Sequence, residues 1–133
     1  MTVGAAPKAF RLAIFLPFAF LAVAAPPLSA SAAGDPARGG SLFNSRCRAC
    51  DAADRDASGP RIRGVFGRTA GAIAGFHYSS AMARAGTVWN DETLDAFLSA
   101  PAKAIPGTAK STGVANAQDR ADIIAYLKTL TAP

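Results

Sequence analysis

The cysteine and histidine content constrains this chain more than any other feature. The sequence has 133 residues and contains 2 Cys and 1 His. A structural zinc site needs four such ligands, so one chain cannot complete it from Cys and His alone. Two cysteines also exclude a small scaffold held by several disulfides. The length allows one ordinary domain and is too short for a doubly wound sheet or a barrel enzyme.

Residues 1–33 have the features of a secretory signal peptide. Lys8 and Arg11 are the charged residues of this segment, and an apolar stretch follows over residues 12–25. Small residues at 29–33 are typical of a cleavage site. The apolar stretch is shorter than the roughly 20 residues that cross a bilayer. We expect cleavage after Ala33, and an uncleaved N-terminal anchor is the alternative.

The remaining residues, 34–133, are expected to form the mature domain. The whole chain has a net charge of +5 and a mean hydropathy of +0.20. Much of this positive hydropathy comes from the apolar residues of the leader. Residues 34–133 hold 12 basic and 9 acidic side chains, a net charge of +3. We therefore expect a periplasmic monomer with no membrane span after cleavage. It carries no recognised nucleic-acid-binding motif.

Capping residues and apolar spacing predict an all-α domain of about four helices. The predicted helices cover residues 35–46, 79–85, 90–100 and 117–130, and polar N-caps begin them: Asp35, Ser79, Asn90 and Asn116. Pro101 is expected to stop the third helix, and residues 52–78 and 106–114 read as loops. Long connections in a small domain usually surround a ligand or form a functional loop.

The cysteines form the motif Cys47-Arg48-Ala49-Cys50 directly after the first predicted helix. On its own, this spacing fits a disulfide, a metal clip, a thiol-redox pair or a covalent haem attachment. Further motifs follow it in order: Gly59-Pro60, Gly64-Val65-Phe66-Gly67-Arg68, Gly75-Phe76-His77-Tyr78, Trp89, Ile105-Pro106-Gly107-Thr108 and Asp122-Ile123-Ile124-Ala125-Tyr126-Leu127. This series closely resembles the class I cytochrome c family over essentially all of residues 34–133.

The resemblance implies a cytochrome c-like fold around a haem-sized pocket. Cys47 and Cys50 would form thioether bonds to the vinyl groups of one haem c. The first and last helices would cross with Gly39 and Phe43 packed against Tyr126.

The resemblance also implies the remaining cofactor contacts. Arg68, Tyr78 and Trp89 match the family's haem-propionate partners. The family needs such residues because carboxylates that enter an apolar pocket require charge-assisted hydrogen-bond donors. Pro60 matches the proline whose carbonyl orients the proximal iron ligand.

The sequence departs from the family at both iron-ligand positions. Asp51 stands where the family's CxxCH motif has its histidine, and the loop after Pro106-Gly107-Thr108 has Lys110 near the position of the distal methionine. His77 falls in the propionate-side segment, and Met82 is interpreted as a core residue. Carboxylate is a poor substitute for imidazole on ferrous haem, since it is harder and anionic. We expect weakened iron ligation and doubtful redox competence.

The resemblance implies an electron carrier rather than an enzyme, with redox proteins as partners. Six arginines surround the CxxC motif, either as a rim that steers acidic partners or as a solvated surface: Arg46, Arg48, Arg55, Arg61, Arg63 and Arg68. The main alternative is a haem-free domain of the same fold, used for binding or structure, with a Cys47–Cys50 disulfide. A thiol-redox protein and a five-coordinate haem used in ligand sensing or peroxidase-like chemistry are further alternatives.

Overall fold

The described part of the chain forms five helices joined by long loops. The computed structural model describes residues 1, 2, 4 and 33–133. In chain order the helices are α1 (Pro36–Arg46), α2 (Ser80–Arg84), α3 (Asp91–Ser99), α4 (Pro101–Ala104) and α5 (Ala117–Thr129). Within residues 33–133 extended pairing is limited to one antiparallel bridge, Thr69 with Val88. The all-α prediction is confirmed, while the leader predicted over residues 1–33 lies almost entirely outside the described residues.

Helix α1 begins as its first residues predict. The Asp35 side chain accepts hydrogen bonds from the backbone N–H groups of Ala37 and Arg38, and Pro36 occupies the first turn. Such a cap satisfies amide donors that have no partner inside the helix. The helix ends at Arg46, so that Cys47 is its C-cap and the CxxC motif forms the turn that follows.

Helices α1 and α5 cross in close contact, which requires glycine at position 39. A Cβ added to Gly39 would lie 1.9 Å from the carbonyl oxygen of Asp122 and 3.0 Å from the Cβ of Tyr126. The rings of Phe43 and Tyr126 pack one turn further along, with centroids 5.4 Å apart. The expected packing of Gly39 and Phe43 against Tyr126 is therefore confirmed.

A buried carboxylate also joins the two helices. Asp122 of α5 is 1% exposed. It accepts hydrogen bonds from the Asp35 N–H at 2.8 Å, from Gln118 at 2.9 Å and from Arg38. The Asp35 N–H, then Gln118 and Arg38, lower the pKa of this carboxyl. In the sequence Asp122 is noted only as part of a family motif, and this link between α1 and α5 was not predicted.

Helices α2 and α3 follow their predicted caps. Ser79 accepts a hydrogen bond from the Met82 N–H, and Gly86 follows α2 with a φ of +64°, a conformation that favours glycine. Asn90 and Thr93 form a reciprocal capping box at the start of α3.

The region after α3 corrects one expectation. Pro101 was expected to stop the third helix, and α3 does end just before it, at Ser99. Pro101 also begins the four-residue helix α4, which raises the number of helices from the predicted four to five. Proline suits a first helical position, because its missing N–H would have no partner there and its φ is already helical. Residues 105–116 then form the expected loop before α5.

Candidate functional site

A cavity of about 530 Å³ lies between the helices and the two long loops. Its apolar wall includes Phe43 of α1, Leu98 of α3 and Leu127 of α5, all buried core residues. Protein interiors are normally packed without voids much larger than a water molecule. A space of this size inside a small domain is therefore suited to a ligand. All eight candidate residues line this cavity: Cys47, Cys50, Asp51, Pro60, Arg68, Tyr78, Trp89 and Lys110.

The CxxC motif forms a tight turn at one wall of the cavity. The backbone N–H groups of Cys50 and Asp51 both donate to the Cys47 carbonyl, at 3.0 and 2.8 Å. Cys47 is half-buried and Cys50 is exposed, and both are free thiols. The disulfide expected in the haem-free interpretation is therefore not formed in this structure. Burial raises the pKa of the Cys47 thiol, and the positive charge of Lys110 acts in the opposite direction.

Asp51 and Lys110 meet in an ion pair at the cavity. The Lys110 Nζ donates to the Asp51 Oδ2 at 3.2 Å, and the two side chains are 32% and 21% exposed, respectively. Glycine at position 59 leaves room for the carboxylate, since a Cβ there would lie 2.1 Å from the Asp51 Oδ1. Both residues were predicted to lie at or near the positions of the family's iron ligands, but their direct contact was not predicted.

The three predicted propionate partners lie in different surroundings. Trp89 is buried and packs against the ring of Phe97, with centroids 5.1 Å apart. Tyr78 is half-buried, and its ring makes an edge-on contact with the ring of Phe76, with centroids 4.7 Å apart. All three predicted residues line the cavity. The rings of Tyr78 and Trp89 are apolar and also carry an O–H or N–H donor, so they can contact both an apolar ligand and its polar groups.

Arg68 is the cationic member of this group. Its guanidinium donates to the backbone carbonyls of Arg63 and Arg61, at 2.9 and 3.0 Å. Burial lowers the pKa of this guanidinium. These hydrogen bonds fix the side chain beside the cavity, and a guanidinium has further N–H groups with which to bind an anion.

His77 and Met82 also line the cavity. His77 is exposed, whereas Met82 is half-buried and packs against the hydrophobic core. Met82 thus lies between the core and the cavity, and its interpretation as a core residue stays a prediction.

The arginines around the CxxC motif are largely engaged within the chain. Aspartates pair with Arg46, Arg61 and Arg63, and Arg68 donates to backbone carbonyls. Within residues 33–133, Arg48 and Arg55 make no ion pair at the 4.0 Å limit. Ion pairing therefore reduces the positive surface that the sequence suggested.

Comparison with known proteins identifies the family. The family model described as cytochrome c matches residues 36–131. The cytochrome c of Euglena viridis is 45% identical over 100 residues, covering 73% of this chain and 98% of that protein. This chain belongs to the cytochrome c family. Its members bind haem c covalently and are electron carriers rather than enzymes.

Other cytochromes c extend the comparison. Cytochrome c-type cyt cy of Rhodobacter capsulatus is 43% identical over 76% of this chain and 52% of its own length. The structure of cytochrome cH from Methylobacterium extorquens matches with a TM-score of 0.69 and 37% identity. That match covers 72% of this chain and 99% of the other. The cytochrome c-like fold predicted from the sequence is thereby confirmed.

The described residues fit haem c at its periphery but not at its iron. The cavity, the two thiols and the guanidinium of Arg68 suit a large apolar cofactor with two carboxylates. The resemblance places Asp51 at one iron-ligand position and Lys110 near the other, and the carboxylate and ammonium groups of these residues bind each other. A protonated lysine has no lone pair for a metal, so these positions do not fit the family's iron.

None of the helices described here has the length and apolar content needed to cross a bilayer. The described part of the chain also contains no group of three or more His, Cys, Asp or Glu placed to hold a metal ion.

Proposed function

We propose that this cytochrome c is an exported electron-transfer protein that carries one haem c on Cys47 and Cys50. The observation that carries the proposal is that both cysteines and all three propionate-partner residues line the same cavity. Export is supported by the leader-like sequence of residues 1–33, with cleavage after Ala33.

In this proposal the chain holds the cofactor at its periphery. Cys47 and Cys50 would each add their S–H across a vinyl group, and Arg68, Tyr78 and Trp89 would donate to the propionates. Haem supplies one-electron redox chemistry when it is bound. The apolar wall formed by Phe43, Leu98 and Leu127 would exclude water from most of its surface.

The proposal includes impaired iron ligation. An ionised Asp51 can only accept hydrogen bonds, so it cannot donate to the Pro60 carbonyl as an imidazole N–H would. A ligand held by such a second interaction is better oriented towards its metal. We therefore propose a redox centre unlike that of a cytochrome c with histidine and methionine ligands.

A haem-free domain is the second candidate function, and the ion pair between Asp51 and Lys110 favours it. Direct contact of these two groups satisfies them without a metal. The domain would then serve binding or structure while retaining the fold of its redox relatives. Its cysteines would be free thiols or an oxidised pair in an oxidising compartment.

One experiment separates the two candidates. The full chain is expressed in a bacterial host together with haem c maturation proteins, and the purified product is analysed by intact mass and by pyridine haemochrome spectrum. We expect the added mass of one haem and a Soret band, both absent from the C47A/C50A variant. A colourless product of haem-free mass would overturn the first candidate and favour the second.

The same preparation tests export. The mature N-terminus is expected at Gly34, in protein released from the periplasm. Protein that retains residues 1–33 and sediments with membranes would instead support the uncleaved anchor.

The partners are proposed to be redox proteins, with contacts near the CxxC turn. Arg48 and Arg55 are the arginines of this region that remain available for acidic partners. A steering role would make the association rate fall as salt concentration rises.

A further inference from the structure

The ion pair between Asp51 and Lys110 connects two segments that are far apart in sequence. Asp51 ends the CxxC turn, and Lys110 lies in the loop of residues 105–116, 59 positions later. The 3.2 Å separation of Nζ and Oδ2 is a direct hydrogen bond. No atom fits between two groups at that distance, so any cofactor lying between them must first separate the pair.

We propose that this ion pair replaces the iron as the link across the cavity in haem-free protein. The inference rests on the proposed function, in whose family the residues at the position of Asp51 and near that of Lys110 hold the iron from opposite sides. In this chain the same positions bind each other directly. The fold can therefore close around its cavity before or without haem, and haem loading would have to separate this pair.

The surroundings of the pair support a structural contribution. Asp51 is 21% exposed and Lys110 is 32% exposed, so water screens their attraction less than it screens a fully exposed pair. The turn that carries Asp51 is held by its own backbone: the Gly59 N–H donates to the Cys50 carbonyl at 2.8 Å. A carboxylate on this fixed turn loses little conformational freedom when it binds the lysine.

A second ion pair in the same region provides a matched control. Arg61 and Asp56 are also 3.2 Å apart, but they are 44% and 38% exposed and only five positions apart. Exposed pairs of this kind contribute little to stability. They also cannot connect distant segments, so their removal should leave the cavity walls in place.

The test is a double-mutant cycle on the full chain produced without haem maturation proteins. The variants are D51N, K110M and the double variant, and the measurement is equilibrium unfolding in urea. We expect each single variant to raise the unfolding equilibrium constant and the two effects to be non-additive, with coupling of at least fivefold. The control cycle, D56N with R61M, should show coupling below twofold.

One further double variant and a hydrogen-exchange measurement guard against misfolding and general charge effects. Exchange of the charges in D51K/K110D should recover part of the lost stability, because the attraction is restored with its sign reversed. Hydrogen exchange should increase in residues 47–51 and 105–116 of K110M but remain unchanged in α1. Coupling below twofold for Asp51 and Lys110, or failure of the wild-type chain to unfold cooperatively, would overturn the inference.

The outcomes remain separate from those of the proposed function. Strong coupling in a chain that never acquires haem would support the link and reject the haem-carrying function. Weak coupling in a chain that does acquire haem would reject the link alone.

Discussion

At position 39 the absence of a side chain permits the close contact between α1 and α5. Elsewhere in a helix, replacing glycine by alanine stabilises it by roughly 1 kcal/mol. Here the new Cβ would lie 1.9 Å from the Asp122 carbonyl oxygen, so α1 would have to move away from α5. We expect G39A to destabilise the domain by about 1–3 kcal/mol in denaturant unfolding.

The neighbouring glycine supplies the control for that prediction. A Cβ on Gly40 would lie 3.2 Å from the ring of Tyr126, which is a side chain and can shift slightly. We therefore expect G40A to change stability by less than G39A does. Equal losses in the two variants would mean that helix contact is not what selects glycine at position 39.

The Asp122 carboxylate makes a further contribution at the residue scale, one that depends on pH. Its pKa is lowered in the folded state, first by the Asp35 N–H and then by Gln118 and Arg38. A lowered folded pKa gives stability that is present above the unfolded value of about 3.9 and is lost as pH falls through the folded value. We expect D122N to be less stable at pH 7 and to lose less stability than the wild type upon acidification below pH 4.

The unfolding free energy should be measured between pH 2 and pH 7 for this comparison. Asp54, whose pKa Arg63 also lowers, contributes to acid sensitivity in both proteins. The control is E92Q, because Glu92 makes no ion pair within residues 33–133. An unchanged pH dependence in D122N would contradict the role assigned to the buried carboxylate.

At the scale of the helix, the start of α3 depends on its capping box. The Asn90 side chain accepts from the Thr93 N–H, and the Thr93 hydroxyl accepts from the Asn90 N–H, both at 2.9 Å. We expect N90A to lower the unfolding free energy by about 1 kcal/mol. N90D keeps a capping oxygen and should retain most of the stability in the same urea titration, whereas equal losses would reject the cap.

Local signals predicted most helix boundaries but not the contacts of the site. Asp35-Pro36 and Asn90 act through neighbouring backbone groups, so their effects can be predicted from adjacent residues. The helix that begins at Pro101 was not predicted, because proline both ends one helix and suits the start of another. The contact between Asp51 and Lys110 could not be predicted, because it depends on how two distant loops fold around the cavity.

For the whole molecule, the proposed cleavage after Ala33 would leave the chain's first residues packed on its last helix. A Cβ added to Gly34 would lie 2.0 Å from the Ala121 carbonyl oxygen. Asp35 both caps α1 and donates its N–H to Asp122. We expect a chain that begins at Pro36 to be at least about 1 kcal/mol less stable than one that begins at Gly34, because it lacks the cap. Equal thermal unfolding midpoints for the two chains would contradict this predicted loss of stability.

The pairing of α1 with α5 has a consequence for the order in which the protein is assembled. The hydrogen bond between Asp35 and Asp122 joins residues 87 positions apart, and a chain is synthesised from its N-terminus. Ile123 and Leu127 of α5 also form part of the cavity wall. The wall therefore stays incomplete until the last helix arrives. Until then the thiols of Cys47 and Cys50 are accessible both to haem attachment and to oxidation to a disulfide.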